Sequence, residues 1–266
     1  MRRLLTFSCE GATLGATLDA GSGTIGLLMA TGGSQSRIGS HRMYERLAKM
    51  LSEQEIPSFR FDRRGVGDSE GEDPGYRGSR PDLIAAATAF RREASALQRL
   101  FGFGLCDGAT ALALHGDAIG LDGLILVNPW LVEASADAPP SAAVRAHYRD
   151  RLLSLDGWKR LLGGAVDLRK LWRGIARLFQ REDATLAAET AAALRRHRLP
   201  TCVILATGDA TAIAARSAMK SNGFNGLNID IQELDSDSHT FARPGDEAAL
   251  AAAILDALRR LGVQAS

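Results

Sequence analysis

The chain has 266 residues, 45% apolar and 24% charged, with 32 Lys plus Arg against 31 Asp plus Glu for a formal charge of +1. That length fits one large α/β domain or two small ones, and the near-cancelling charge excludes a basic nucleic-acid surface and an acidic tail. Three scattered cysteines, Cys9, Cys106 and Cys202, exclude a disulfide framework or a cysteine zinc site, and their odd number suits a reducing compartment.

The first residues, "MRRLLTFSCEG", carry arginines, but Thr6, Ser8 and Glu10 break the apolar stretch at once, unlike a signal segment. No run approaches the roughly 18 apolar residues of a membrane span. A cytoplasmic protein is expected.

Taken in order, "LLTFSC" and "TLGATLD" read as two strands forming an antiparallel hairpin at a sheet edge. "TIGLLMAT" (24–31) is a buried strand. From Ser40 to Gln54, Met43, Leu47, Met50 and Leu51 share one face of an amphipathic helix. "IPSFRFD" is the next strand, followed by a Gly- and Arg-rich loop, "RRGVGDSEGEDPGYRGSR". Pro81 to Ala96 reads as a helix with proline near its first turn. "LQRLFGFGL" is a strand, Asp107 to His115 a helix, and "LDGLILVN" a strand.

From about Leu131 to Arg198 the pattern turns Ala-, Arg- and Leu-rich, and "SAAVRAHYRDRLLSL", "LRKLWRGIARLFQ" and "ATLAAETAAALRRH" all look helical. Strands resume with "TCVILATGD", then a helix (Thr211 to Ser221), the strand "LNIDIQEL" and a final helix from Asp246 to Leu261. This alternation predicts an α/β fold, a mostly parallel eight-stranded sheet flanked by helices. Its core spans 1–130 and 199–266, and a helical lid spans 131–198.

"GSGTIG" at 21–26 matches the dinucleotide fingerprint G-x-G-x-x-G, but that motif needs a helix directly behind it to face the pyrophosphate. A strand follows here, so a turn is expected and no cofactor.

Gly104-Leu-Cys-Asp-Gly108 fits G-x-[Ser/Cys]-x-G, a turn in which a strand bends sharply into a helix with the nucleophile strained at its apex. Alone the pentapeptide is a weak signal; at a strand-to-helix junction it gains weight. On such a sheet the acid and the histidine follow on loops after later strands. Asp209, directly after "TCVILATG", and His239, in "DSDSHTF", occupy those places. Asp235 and Asp237 stand as alternative acids, and Asp209 also reads as a helix N-cap. In these roles Cys106 attacks a carbonyl carbon, His239 handles the thiol proton, and Asp209 orients the imidazole. The Asp107 backbone N–H is one oxyanion donor. The loop "TGGSQSRIGSH" offers a second through the Ser34 or Gln35 N–H. The Asp107 carboxylate works against a thiolate if it points at the sulfur.

The segments "GGSQSRIGSHR", "FRFDRRGVGDSEG", "GLCDGATALAL", "LVNPW", "LLGGAVDLRKLWRG" and "DSHTFAR" resemble the α/β-hydrolase superfamily. Most closely they are similar to the hydrolases of the first type associated with exosortase A systems, found in bacterial exopolysaccharide loci. The resemblance runs from about Leu27 to the C-terminus. It implies a Cys–Asp–His hydrolase with a helical lid, the three roles falling on Cys106, Asp209 and His239, and an aspartate–arginine–glycine turn bracing the sheet near the site. At the acid, "TGDATA" is one residue shorter than the family pattern, so Asp235 and Asp237 stay open.

The reading is hydrolysis of a small-molecule ester or thioester through a thioacyl-enzyme, with no metal, no nucleic acid and no membrane span; it leaves a homodimer open. Trp130, Phe241, Trp158 and Trp172 are candidate pocket walls. The alternatives are acyl transfer on the same triad, and a non-catalytic binding protein on the same fold.

Overall fold

A computed structural model of the chain describes residues 1–132, 184–220 and 223–264. It divides into two compact units, Met1–Leu131 with Glu189–Ser266, and Val132–Ala188. Most of the second unit, including Trp158, Trp172 and the first two helices expected of the lid, lies outside the described residues.

The first unit is built on one eight-stranded sheet of order β1-β2-β4-β3-β5-β6-β7-β8. The strands are β1 (Arg2–Cys9), β2 (Ala12–Asp19), β3 (Ile25–Ala30), β4 (Ser58–Phe61), β5 (Arg99–Leu105), β6 (Gly123–Val127), β7 (Thr201–Ala206) and β8 (Ile229–Leu234). The opening hairpin is antiparallel and joins β4 antiparallel, so β1 is the edge. From β4 through β3, β5, β6 and β7 to β8 every pairing is parallel.

The reason is legible in the residues. β6, "GLILV", and β7, "TCVILA", are buried at every position, as strands with helices on both faces must be. β1 and β8 expose about every second residue or more, Leu4 and Ile231 among them, as edges do. "GSGTIG" is a turn running into β3, with no helix behind it.

Seven helices complete the described residues: α1 (Met43–Glu53), α2 (Gly75–Gly78), α3 (Arg80–Glu93), α4 (Asp107–Ile119), α5 (Ala184–His197), α6 (Ala210–Met219) and α7 (Asp246–Gln264). α1 buries Met43, Leu47 and Leu51 against a core formed with Leu27, Phe101, Phe103 and Ile254. Several elements differ in detail from the sequence expectation. The helix expected from Ser40 begins at Met43, because His41 (φ 42) and Arg42 (φ 65) are left-handed and confine Ser40–Arg42 to a 3-10 turn. α4 runs past His115 to Ile119 and ends at left-handed Gly120. The Gly- and Arg-rich loop contains one helical turn, α2, entered through Pro74. No described helix is long and apolar enough to cross a membrane.

Because β3, β5, β6, β7 and β8 are parallel, their C-terminal ends open on one edge of the sheet, where α/β folds gather their functional loops.

Candidate active site

The turn from β5 into α4 places Cys106 at its apex with φ 59 and ψ −126, a conformation costly for any residue but glycine. The flanking glycines are required by space. A Cβ on Gly104 would stand 2.6 Å from Ala109 N, and one on Gly108 would stand 2.6 Å from Ala30 O. The apex is held from outside: Cys106 N–H donates to Val127 O (3.0 Å), and Cys106 O accepts from Trp130 N–H (3.2 Å). Thr110 Oγ1 donates to Trp130 O at 2.7 Å. Cys106 is half-buried, whereas Cys9 and Cys202 are buried. Burial pushes Cys9 up to about 11, with Asp82 beside it adding to the shift, and pushes Cys202 up to about 12. Those two thiols are kept neutral and out of reach.

Asp209 follows β7 and caps α6, its Oδ2 accepting Ala212 N–H at 2.9 Å. The same oxygen lies 3.0 Å from His239 Nδ1. Asp209 is 7% exposed, whereas the carboxylates kept open as alternatives, Asp235 and Asp237, are exposed, and Asp237 pairs with Arg243. The imidazole is also close enough to the Cys106 side chain to feel its charge. Burial pulls the imidazole's pKa down, but the interactions with Asp209 and Cys106 outweigh it and raise it to about 9. The structure thus gathers the three predicted residues in one region, with Asp209 and His239 joined by a hydrogen bond.

Several residues that local sequence patterns did not single out hold these loops. Asn128, after β6 and left-handed at φ 42, donates from Nδ2 to His239 O (3.0 Å) and accepts Ala206 N–H on Oδ1 (2.9 Å). Arg46 can only donate, so His41 Nδ1, 3.0 Å away, accepts and leaves Nε2–H to donate to Thr240 O at 2.9 Å. The buried Tyr44 hydroxyl donates to Ala30 O (2.9 Å) and accepts Leu105 N–H (3.1 Å), tying the ends of β3 and β5. Buried Asp62 accepts Asp68 N–H (3.0 Å) and pairs with Arg37. The Asp62–Asp68 turn is thereby strapped to the loop after β3.

That loop meets the cysteine turn through Gly32 and Gly33. Gly33 N–H donates to Asp107 Oδ1 at 2.5 Å, and a Cβ on Gly32 would stand 3.0 Å from Cys106 Cβ. The sequence pointed instead to Ser34 and Gln35. Ser34 Oγ lies 3.4 Å from Asp73 Oδ2, while Gln35 accepts Thr31 Oγ1–H on its carbonyl and Ser40 N–H on its side chain. The paired glycines of "TGGS" were the signal for the point of contact. The Asp107 carboxylate is turned to Gly33 N–H. Trp130 is half-buried beside the turn, whereas Phe241, at 1% exposure, lies in the hydrophobic core. A pocket-wall role fits Phe241 poorly, because its ring is spent on packing. Among the described residues no group of three or more His, Cys, Asp or Glu side chains is arranged to hold a metal ion.

No family model matches the chain, and no curated protein does either. Many solved structures do. An esterase of Pyrococcus furiosus, Pf2001, aligns with a TM-score of 0.66 at 14% identity, over 98% of this chain and 91% of its own. XC6422 of Xanthomonas campestris, described as an α/β serine hydrolase without a lid, aligns with a TM-score of 0.61 at 18% identity, over 97% and 94%. A dienelactone hydrolase of Anabaena variabilis gives 0.64 at 14%, over 98% and 97%. The sheet order, the turn at Cys106 and these likenesses agree: the chain has the α/β-hydrolase fold.

Proposed function

We propose that the chain hydrolyses a carboxylic ester or thioester through a thioacyl intermediate on Cys106. The observation carrying this reading is the imidazole of His239, hydrogen-bonded to the Asp209 carboxylate through Nδ1 and within electrostatic reach of the Cys106 side chain. A protonated imidazole beside sulfur is a counter-charge for a thiolate, and because Nδ1 is engaged by Asp209, Nε2 is the ring nitrogen left to serve the sulfur. The thiolate attacks the carbonyl carbon, and the oxyanion forms at the N-terminus of α4, where the Asp107 backbone N–H is a donor. His239 gives its proton to the departing alcohol or thiol. It then takes one from water, which attacks the thioacyl carbonyl, breaks the carbon–sulfur bond and returns the thiol.

Three structural neighbours bear names of esterases or hydrolases, which supports the reaction class. The cysteine in the turn and the exosortase-associated hydrolases it resembles support the choice of nucleophile and an exopolysaccharide setting. The hydrogen bond between Asp209 and His239 beside the cysteine turn favours catalysis over a binding role, which has no need of it.

The test is mass spectrometry of the intact chain after incubation with short- and long-chain p-nitrophenyl esters and acyl-CoAs. An acyl mass on Cys106, accumulating in His239→Ala, is expected, with kcat of that variant lower by roughly 10⁴. An adduct on Cys9 or Cys202, or a loss in His239→Ala under tenfold, would overturn the reading. Adding a sugar or amine acceptor separates hydrolysis from acyl transfer by the product.

A further inference from the structure

Resting on that reading, we infer that the Asp107 side chain and Arg63 are positioning residues that clamp the loop facing Cys106 from its two sides at Gly33. Gly33 N–H donates to Asp107 Oδ1 (2.5 Å), and Gly33 O accepts from Arg63 Nη2 (2.6 Å). One residue of the loop is thus gripped through both of its backbone polar groups. Its two partners come from separate places, the first residue of α4 and the turn after β4.

Each partner is otherwise hard to account for. Arg63 is 4% exposed, yet its Nε and Nη1 are buried without a hydrogen-bond partner among the described residues. Its remaining contacts are Gly33 O and an ion pair with Asp73 at 3.6 Å. A buried cation with orphaned donors is a poor stabiliser, and an apolar side chain of its length would pack as well. Its retention makes sense if holding Gly33 and placing positive charge beneath the loop is what it does. Asp107 sits next to the nucleophile, where a carboxylate opposes an oxyanion. Engaging Gly33 N–H turns that charge away, and both Asp107 and Arg63 act electrostatically on the same buried Tyr44 hydroxyl between β3 and β5.

Space explains why the grip must be tight. A Cβ on Gly32 would stand 2.5 Å from Leu105 O and 2.8 Å from Asp107 Oδ1. The loop therefore lies directly on the cysteine turn, and a small shift of it moves whichever of its N–H groups faces the carbonyl oxygen.

The experiment is amide hydrogen exchange over residues 31–36, with steady-state kinetics on a p-nitrophenyl ester, in Asp107→Ala, Asp107→Asn and Arg63→Met. Exchange in this segment should rise by about tenfold or more in Asp107→Ala and in Arg63→Met. Asp107→Asn should recover most of the protection, because its amide oxygen still accepts from Gly33 N–H. In the two disrupted variants kcat should fall by about tenfold or more with KM changed by less than about threefold. The rate of iodoacetamide reaction at Cys106 should stay near that of the parent in Arg63→Met, since alkylation uses no oxyanion donor. Unchanged exchange in both disrupted variants overturns the clamp, as does an Asn variant as labile as Ala. Raised exchange with unaltered kcat overturns the role in turnover. If the parent turns over no acyl ester, the proposed function falls, and the exchange data alone still decide the clamp.

Discussion

Asp209 Oδ2 serves two masters, the N-terminus of α6 and the ring of His239. The two duties separate chemically, because Asn caps a helix about as well as Asp while carrying no charge to orient an imidazolium. Asp209→Asn should therefore lower kcat by about a hundredfold or more with a small change in melting temperature. Asp209→Ala should lose the cap as well, costing about 1 kcal/mol and a few degrees. Equal melting temperatures for the two variants would show that the cap contributes nothing. Cys106 offers a simpler test: half-buried beside an imidazole, it should react with iodoacetamide well before Cys9 and Cys202, whose thiols burial keeps neutral. Peptide mapping after partial labelling reads the order directly.

At the scale of elements, the β5–α4 turn depends on contacts that cross the sheet. The Tyr44 hydroxyl bonds both Ala30 O and Leu105 N–H. Tyr44→Phe leaves a buried donor and a buried acceptor unpaired, and should cost about 1–3 kcal/mol in urea unfolding with an unchanged m-value. A loss under about 0.5 kcal/mol would mean water or a relaxed loop replaces the hydroxyl. The elements themselves were well marked in the sequence where burial imposes a pattern: the unbroken apolar runs of β6 and β7, and the one-sided spacing of Met43, Leu47 and Leu51. They were poorly marked where a special backbone decides. Nothing in "GSHRM" announces that His41 and Arg42 are left-handed, and α4 continues through Gly116, a poor helix former, beyond its expected end at His115.

For the whole molecule, the order of nucleophile, acid and histidine followed from topology, so Cys106, Asp209 and His239 could be proposed together before any distance was known. The clamps between loops could not. Arg63 and Gly33 are thirty residues apart, and Asn128 and His239 further still, and no local periodicity encodes such pairs. The proposed triad also links stability to pH. His239 is raised from its ordinary 6.5 to about 9 in the folded chain, so its stabilising contribution is complete below about 6.5 and is lost as pH rises through about 9. Activity that needs the imidazolium should fall over the same alkaline range. Thermal melts and kcat/KM between pH 6 and 10 check both, and His239→Gln should remove the alkaline loss of stability. A parent whose stability is flat across that range would contradict the raised value.

Asn128 carries one further consequence, for chemical ageing. Its side-chain amide joins the end of β7 to the histidine loop, and conversion to aspartate would replace the donor with a repelling charge. The usual route to that damage is attack by the next residue's backbone nitrogen on the side-chain carbonyl. The next residue is Pro129, whose nitrogen bears no hydrogen and closes that route. The order Asn-Pro thus gives this joint a long shelf life, and prolonged warm storage should deamidate other asparagines first.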